Sequence, residues 1–105
     1  MENNTKKPTI VFLDEYTLGG ADLRRIKALG DYTGYENTTR EEVIERCRTA
    51  RVVITNKVVL DRETLRALPS LRLICVAATG LNNIDLEAAA ELGIEVRNAA
   101  GYSTH

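Results

Sequence analysis

The chain has 105 residues, 44% of them hydrophobic and 28% charged, with a formal net charge of -1; these values describe one ordinary globular domain. Basic and acidic residues are mixed along it without a basic stripe, and no apolar run approaches the length of a membrane span, which argues against nucleic-acid and membrane partners. The opening MENNTKKPT lacks the apolar core of a signal peptide, so residues 1–8 read as a polar lead-in and a cytoplasmic location is expected.

The elements alternate. Thr9–Leu13 (TIVFL) is a β-branched apolar run and predicts a strand. Ala21–Leu29 places Leu23, Ile26 and Leu29 at helical spacing, and Gly30 stops it. Asp31–Tyr35 is a weak strand interrupted by Gly34. Thr39 with Glu42 three residues on fits a capping box opening REEVIERCRTA, whose apolar face is Val43, Ile44 and Cys47. Arg51–Thr55 is the third strand. Asp61–Leu68 is a short helix capped by Asp61; its box is incomplete because Thr64 stands where an acid or amide belongs, and Pro69 ends it. Leu71–Ala78 is the longest apolar run, Asp85–Leu92 a helix capped by Asp85 and closed by Gly93, and Ile94–Arg97 the last strand.

Strands of near-continuous apolar character separated by short helices predict an α/β fold with a five-stranded parallel sheet covered on both faces. Right-handed crossovers make it doubly wound, in the flavodoxin-like order 2-1-3-4-5. Such a sheet normally has a helix after its fifth strand. Here GYSTH has the flavour of a helix start and the sequence then stops, so this helix is expected to be lacking and the chain to be a piece of a longer protein.

Ligands of open parallel sheets bind beyond the carboxyl ends of the strands. In VAATGLNNIDL, residues 76–86, a buried strand hands over to a helix through a glycine and two amides. That pattern is either an ordinary turn with an N-cap or a nest of backbone N–H groups for an anion. Lys57, after the neighbouring third strand, would supply a cation nearby, or is only a solvated surface charge. Cys47 and Cys75 form no metal-ligand pattern and read as two buried cytosolic thiols; the only His is residue 105, so neither a metal site nor a Ser-His-Asp set is expected. No GxGxxG or P-loop is present: Gly19 and Gly20 lack the third glycine and the spacing. Asp14 and Glu15 end the first strand as in a phospho-acceptor receiver domain, but such a domain needs an Asp after the third strand, where this chain has Asn56 and Lys57.

The stretch VAATGLNNIDLEAAAELGIEVRNAAGYST and the upstream RVVITNKVVLDRETLRALPSLRLI resemble the NAD-dependent D-2-hydroxyacid dehydrogenases, in particular the glycerate dehydrogenase (hydroxypyruvate reductase) branch. The resemblance covers about residues 9–105. It implies that residues 9–105 are the flavodoxin-like substrate-binding domain of a two-domain enzyme, without its Rossmann domain, which binds NAD or NADP. The catalytic Arg, Glu and His of the family would lie in the absent part, and His105, at the domain crossover, is not that His. Thr79, Gly80 and Leu81 match the segment whose backbone amides receive the substrate carboxylate. Asn56 and Lys57 match the loop lining the substrate cleft, and Tyr102, Ser103 and Thr104 the crossover near the nicotinamide. The implied partners are a small 2-hydroxy or 2-keto acid and the NAD-binding domain, with no cofactor bound by this chain alone and no activity of its own. An uncovered sheet face would favour a homodimer. The competing reading is a stand-alone flavodoxin-like binding module, or a fragment made to test whether half an enzyme folds.

Overall fold

The computed structural model describes residues 7–18, 23–77 and 81–98. Five strands, β1 (Thr9–Phe12), β2 (Asp31–Gly34), β3 (Val52–Thr55), β4 (Leu73–Val76) and β5 (Glu95–Asn98), form one parallel sheet in the order β2-β1-β3-β4-β5. Four helices connect them: α1 (Arg24–Leu29), α2 (Arg40–Cys47), α3 (Arg62–Arg66) and α4 (Leu86–Glu91). This is the predicted doubly wound fold. The strand cores match the sequence reading, while β5 starts and ends one residue later and β4 is trimmed at both ends.

Strand alternation divides the core in two. Val11, Leu13, Val53, Ile74 and Val76 point to one face, where Val43 and Cys47 of α2, Leu65 of α3 and Ala88 and Ala89 of α4 bury them. Each fully buried aliphatic side chain there contributes about 1.5–3 kcal/mol relative to exposure. Ile10, Phe12 and Ile54 point to the other face, with Leu23 and Ile26 packed over them from the start of α1 and partly buried Val52 and Cys75 beside them. Leu29, expected on the apolar face of α1, is instead 68% exposed; α1 spans only Arg24–Leu29, and its last residue overhangs the sheet rather than meeting it. Cys75 is likewise only partly buried. The two cysteines are free and lie in the clusters on opposite faces.

Local chemistry sets the helix ends. The Thr39 amide donates to Glu42 Oε1 at 2.9 Å, closing the capping box of α2. Asp61 Oδ1 accepts the Thr64 amide at 3.0 Å and the Thr64 hydroxyl at 2.7 Å. The residue that left the box incomplete thus reinforces the same cap. Asp85 Oδ1 accepts the Ala88 amide at 2.9 Å. After α4, Gly93 takes φ +74°, the left-handed conformation that ends helices. Gly30 acts differently: its backbone is extended, and an added Cβ would lie 2.3 Å from the Pro8 carbonyl oxygen, so β2 enters the sheet only past a residue without a side chain.

Candidate functional site

In the order β2-β1-β3-β4-β5 the chain leaves β1 toward one edge and later returns to β3 on its other side. The switch point, where a crevice opens at the carboxyl ends, lies between β1 and β3. A cleft of about 310 Å³ sits there, lined by Asp14, Tyr16, Asn37, Thr38, Lys57 and Val58. Its walls come from the segments that follow β1, β2 and β3.

Asp14 is the centre of this arrangement. It follows the apolar run Ile10–Leu13, is 1% exposed, and its carboxylate points toward β3. Oδ1 accepts the Asn56 amide at 2.9 Å and the Thr55 hydroxyl at 3.2 Å; Oδ2 accepts the Lys57 amide at 2.7 Å. The Thr55 hydroxyl oxygen accepts the Val58 amide at 3.1 Å. Three consecutive amides after β3 are therefore tied to two buried side chains. Such a row of N–H groups is the anion-binding geometry of a nest, and the chain fills it with its own carboxylate. The loop consequently offers an incoming anion the exposed Lys57 side chain, not these backbone donors.

The bracing continues to the next loop. Asn83 Nδ2 donates to the Val58 carbonyl at 2.9 Å, the Leu60 amide to the Asn83 carbonyl at 2.8 Å, and the Asp85 amide to the Leu60 carbonyl at 3.0 Å. A Leu60–Ile84 bridge extends the parallel ladder beyond β3 and β4. One of the two amides in LNNIDL thus stitches the post-β4 segment to the post-β3 loop. Leu81 packs its side chain against the core, and its carbonyl accepts the Ile84 amide at 3.1 Å.

The third wall is held by Arg46. Its guanidinium stacks over the Tyr35 ring, 4.0 Å from the centroid, and donates to the Asn37 carbonyl and the Thr38 hydroxyl, each at 2.8 Å. Buried Thr38 donates to the Leu13 carbonyl at 2.8 Å. The cleft lining is thereby fixed from β1, β2 and β3 alike. Across the β2 edge, Glu15 accepts the Tyr32 hydroxyl; burial, then this carboxylate, holds the phenol above its ordinary pKa. Burial also pushes the Cys47 thiol up to about 12.

Of the residues expected at the site, Asn56 and Lys57 lie in the braced loop, and Lys57 lines the cleft. Leu81 sits at the base of the next loop. Thr79, Gly80, Tyr102, Ser103 and Thr104 lie outside the described residues, as do Gly19 and Gly20. Sequence reasoning did not single out Tyr16, Asn37, Thr38 or Thr55 for the site, and it weighed Asp14 only as a phospho-acceptor. The available signal was an ionisable residue directly continuing the apolar run TIVFL, where a carboxylate must find donors from another strand.

A dinucleotide pyrophosphate needs free backbone N–H groups in the turn after the first strand. Here the Glu15, Tyr16 and Thr17 amides donate to the carbonyls of Tyr35, Glu36 and Asp14, between 2.9 and 3.1 Å. The described part of this turn does not fit that cofactor. Among the described residues no helix is long and apolar enough to cross a membrane.

A doubly wound five-stranded parallel sheet in the order β2-β1-β3-β4-β5 defines a flavodoxin-like α/β domain, with a polar crevice at its switch point. Residues 10–105 match the family described as D-isomer specific 2-hydroxyacid dehydrogenase, catalytic domain, and the chain belongs to that family. A protein of Haemophilus influenzae is 50% identical over 96 residues, covering 90% of this chain and 30% of that protein. The glycerate dehydrogenase of Methylorubrum extorquens is 43% identical over 100 residues, covering 94% of this chain and 31% of that enzyme. Among solved structures, NAD+-bound 3-phosphoglycerate dehydrogenase of Entamoeba histolytica superposes with a TM-score of 0.73 at 30% identity, covering 88% of this chain and 32% of that one. The chain thus spans about 30% of the length of the curated relatives it matches.

Proposed function

We propose that residues 9–105 are the substrate-binding domain of an NAD(P)-dependent oxidoreductase that transfers a hydride between nicotinamide and the carbonyl of a small 2-keto acid, hydroxypyruvate or glyoxylate being the first candidates. The observation that carries this reading is Lys57, held on a braced loop at the switch-point crevice of a chain in this family. An α-keto acid presents a carboxylate. A lysine ammonium a few ångströms from it attracts it, and a loop already fixed loses little freedom on binding. In this reading the backbone amides of Thr79, Gly80 and Leu81 orient the same carboxylate; Asn56 contributes its place in the loop. Tyr102, Ser103 and Thr104 are assigned to the crossover near the nicotinamide. Family membership favours this reading over a stand-alone module.

In this reading the chain binds and orients, and a dinucleotide-binding domain outside it holds NAD or NADP, since the turn after β1 has its described amides engaged. The isolated chain is therefore inactive. Val52 and Cys75, only partly buried beside Ile54 among the described residues, support self-association of the isolated chain as a homodimer. The reading further assigns the protein to the cytoplasm. The test is NADH oxidation on addition of hydroxypyruvate or glyoxylate. The full-length protein that contains this chain turns over and the isolated chain does not. Turnover by the isolated chain, or none by the full-length protein with any 2-keto acid, contradicts the proposal.

A further inference from the structure

We infer that Asp14 is a positioning residue for substrate recognition: its buried carboxylate acts as a built-in anion that fixes the Asn56–Val58 loop and so aims Lys57 at the substrate acid. This rests on the reading of Lys57 given above. Three features carry it. Asp14 reaches 43 residues along the chain to bond the Lys57 amide at 2.7 Å, the shortest of its contacts to this loop. It is buried while the Lys57 side chain it places is exposed, so one residue supplies rigidity and the other supplies charge at the cleft. Thr55 completes the clamp by donating to Asp14 Oδ1 and accepting the Val58 amide, and the Val58 carbonyl is held in turn by Asn83. No amide between Asn56 and Val58 is left without one of these partners.

The arrangement has a chemical logic. An empty nest between β1 and β3 would compete with Lys57 for the substrate carboxylate and accept any small anion. With Asp14 in it, that competing site is closed, and Lys57 is the cation among the described residues that line the cleft. Asn in place of Asp keeps the shape but turns one acceptor into an NH2 donor facing a backbone N–H, so the loop is released on one side.

The test is steady-state kinetics of the full-length protein with Asp14→Asn, Lys57→Ala and the double variant, varying the 2-keto acid at saturating NADH and then NADH at saturating acid. The inference expects Asp14→Asn to raise KM for the acid about tenfold, as a misplaced binding group does. It expects kcat and KM for NADH to stay within about twofold, and Asp14→Asn to add nothing once Lys57 is gone. A purely structural role would lower kcat or active fraction and would add to Lys57→Ala. If Lys57→Ala leaves KM for the acid unchanged, the reading of Lys57 fails, and this inference with it. If Lys57→Ala raises KM while Asp14→Asn does not, or the two effects multiply, the positioning role alone is overturned. Should Asp14→Asn not fold, Thr55→Val carries the same test, because it loosens the clamp without burying an unpaired charge. The same non-additive rise in KM supports the inference, and an unchanged KM overturns it.

Discussion

The carboxylate of Asp14 accepts the backbone amide of Lys57 at 2.7 Å across 43 residues of chain. This contact joins the ends of β1 and β3, the two strands between which the direction of winding reverses. It makes Asp14 a structural requirement independent of any ligand. Asp14→Ala leaves the Asn56 and Lys57 amides and the Thr55 hydroxyl without their shared acceptor and is expected to destabilise the protein by about 3 kcal/mol. Asp14→Asn, which retains part of the acceptor set, is expected to cost about 1–2 kcal/mol. Urea unfolding of both variants checks the order; equal stability of wild type and Asp14→Ala contradicts it.

Burial, not apolar character, decides what a leucine position tolerates. Leu65→Ala opens a cavity in the helix-covered core and is expected to cost about 2–5 kcal/mol, whereas Leu29→Ala, at a position 68% exposed, stays within about 0.5 kcal/mol. Denaturant midpoints of the two variants read this directly. A large loss at Leu29 would mean that α1 docks on the sheet through its last turn as well as its first.

Gly30 and Gly93 are predicted to resist substitution for different reasons. Gly93→Ala forces a side chain into φ +74° with open space around it, at a cost of about 1 kcal/mol. At Gly30 the obstacle is the Pro8 carbonyl 2.3 Å from the added Cβ, and backbone must move, costing about 2 kcal/mol or more. Gly93→Asn, tolerant of the left-handed region, is expected to recover part of the loss, while Gly30→Asn recovers none; thermal unfolding of the four variants separates the two causes.

Acid sensitivity follows from the caps. The side-chain and backbone donors of Thr64 hold Asp61 below the ordinary carboxylate pKa, and the Thr39 amide does so for Glu42. A lowered folded-state pKa contributes stability that is present above the unfolded value and is lost as pH falls through the folded value. Stability is therefore expected to decline below about pH 4. Asp61→Asn still caps α3 but cannot titrate, so its unfolding midpoint should change less between pH 6 and pH 3 than that of the wild type. Equal slopes would remove Asp61 from the acid response.

The extent to which the sequence was legible follows the range of the interactions. The β-branched runs TIVF and VVIT, and the caps at Thr39, Asp61 and Asp85, are local, and each appears where its residues predict it. The strand order is the flavodoxin-like one that the alternating β-α pattern predicts. Leu29 was misread because periodicity reports a helix face but not where the partner surface ends. The role of Asp14 was illegible because it depends on a contact 42 and 43 residues away. Asn83 belongs to a stretch read as a turn with an N-cap or a nest of backbone N–H groups, and its side chain instead bonds the Val58 carbonyl of the neighbouring loop. Lys57 lies beyond the end of β3 at the crevice, two residues past Thr55, because position just after a strand end fixes which edge of the sheet a residue occupies.

In the proposed function this chain carries half of a substrate-acid site, and a domain outside it holds the nucleotide. The most direct measurement is an amide NMR titration of the chain with hydroxypyruvate and, separately, with NADH. Shifts are expected to cluster at residues 56–58 and 79–83 with the acid, with no localised shifts on adding NADH. Acid-induced shifts elsewhere with these loops unmoved, or a localised NADH footprint at the turn after β1, would contradict it.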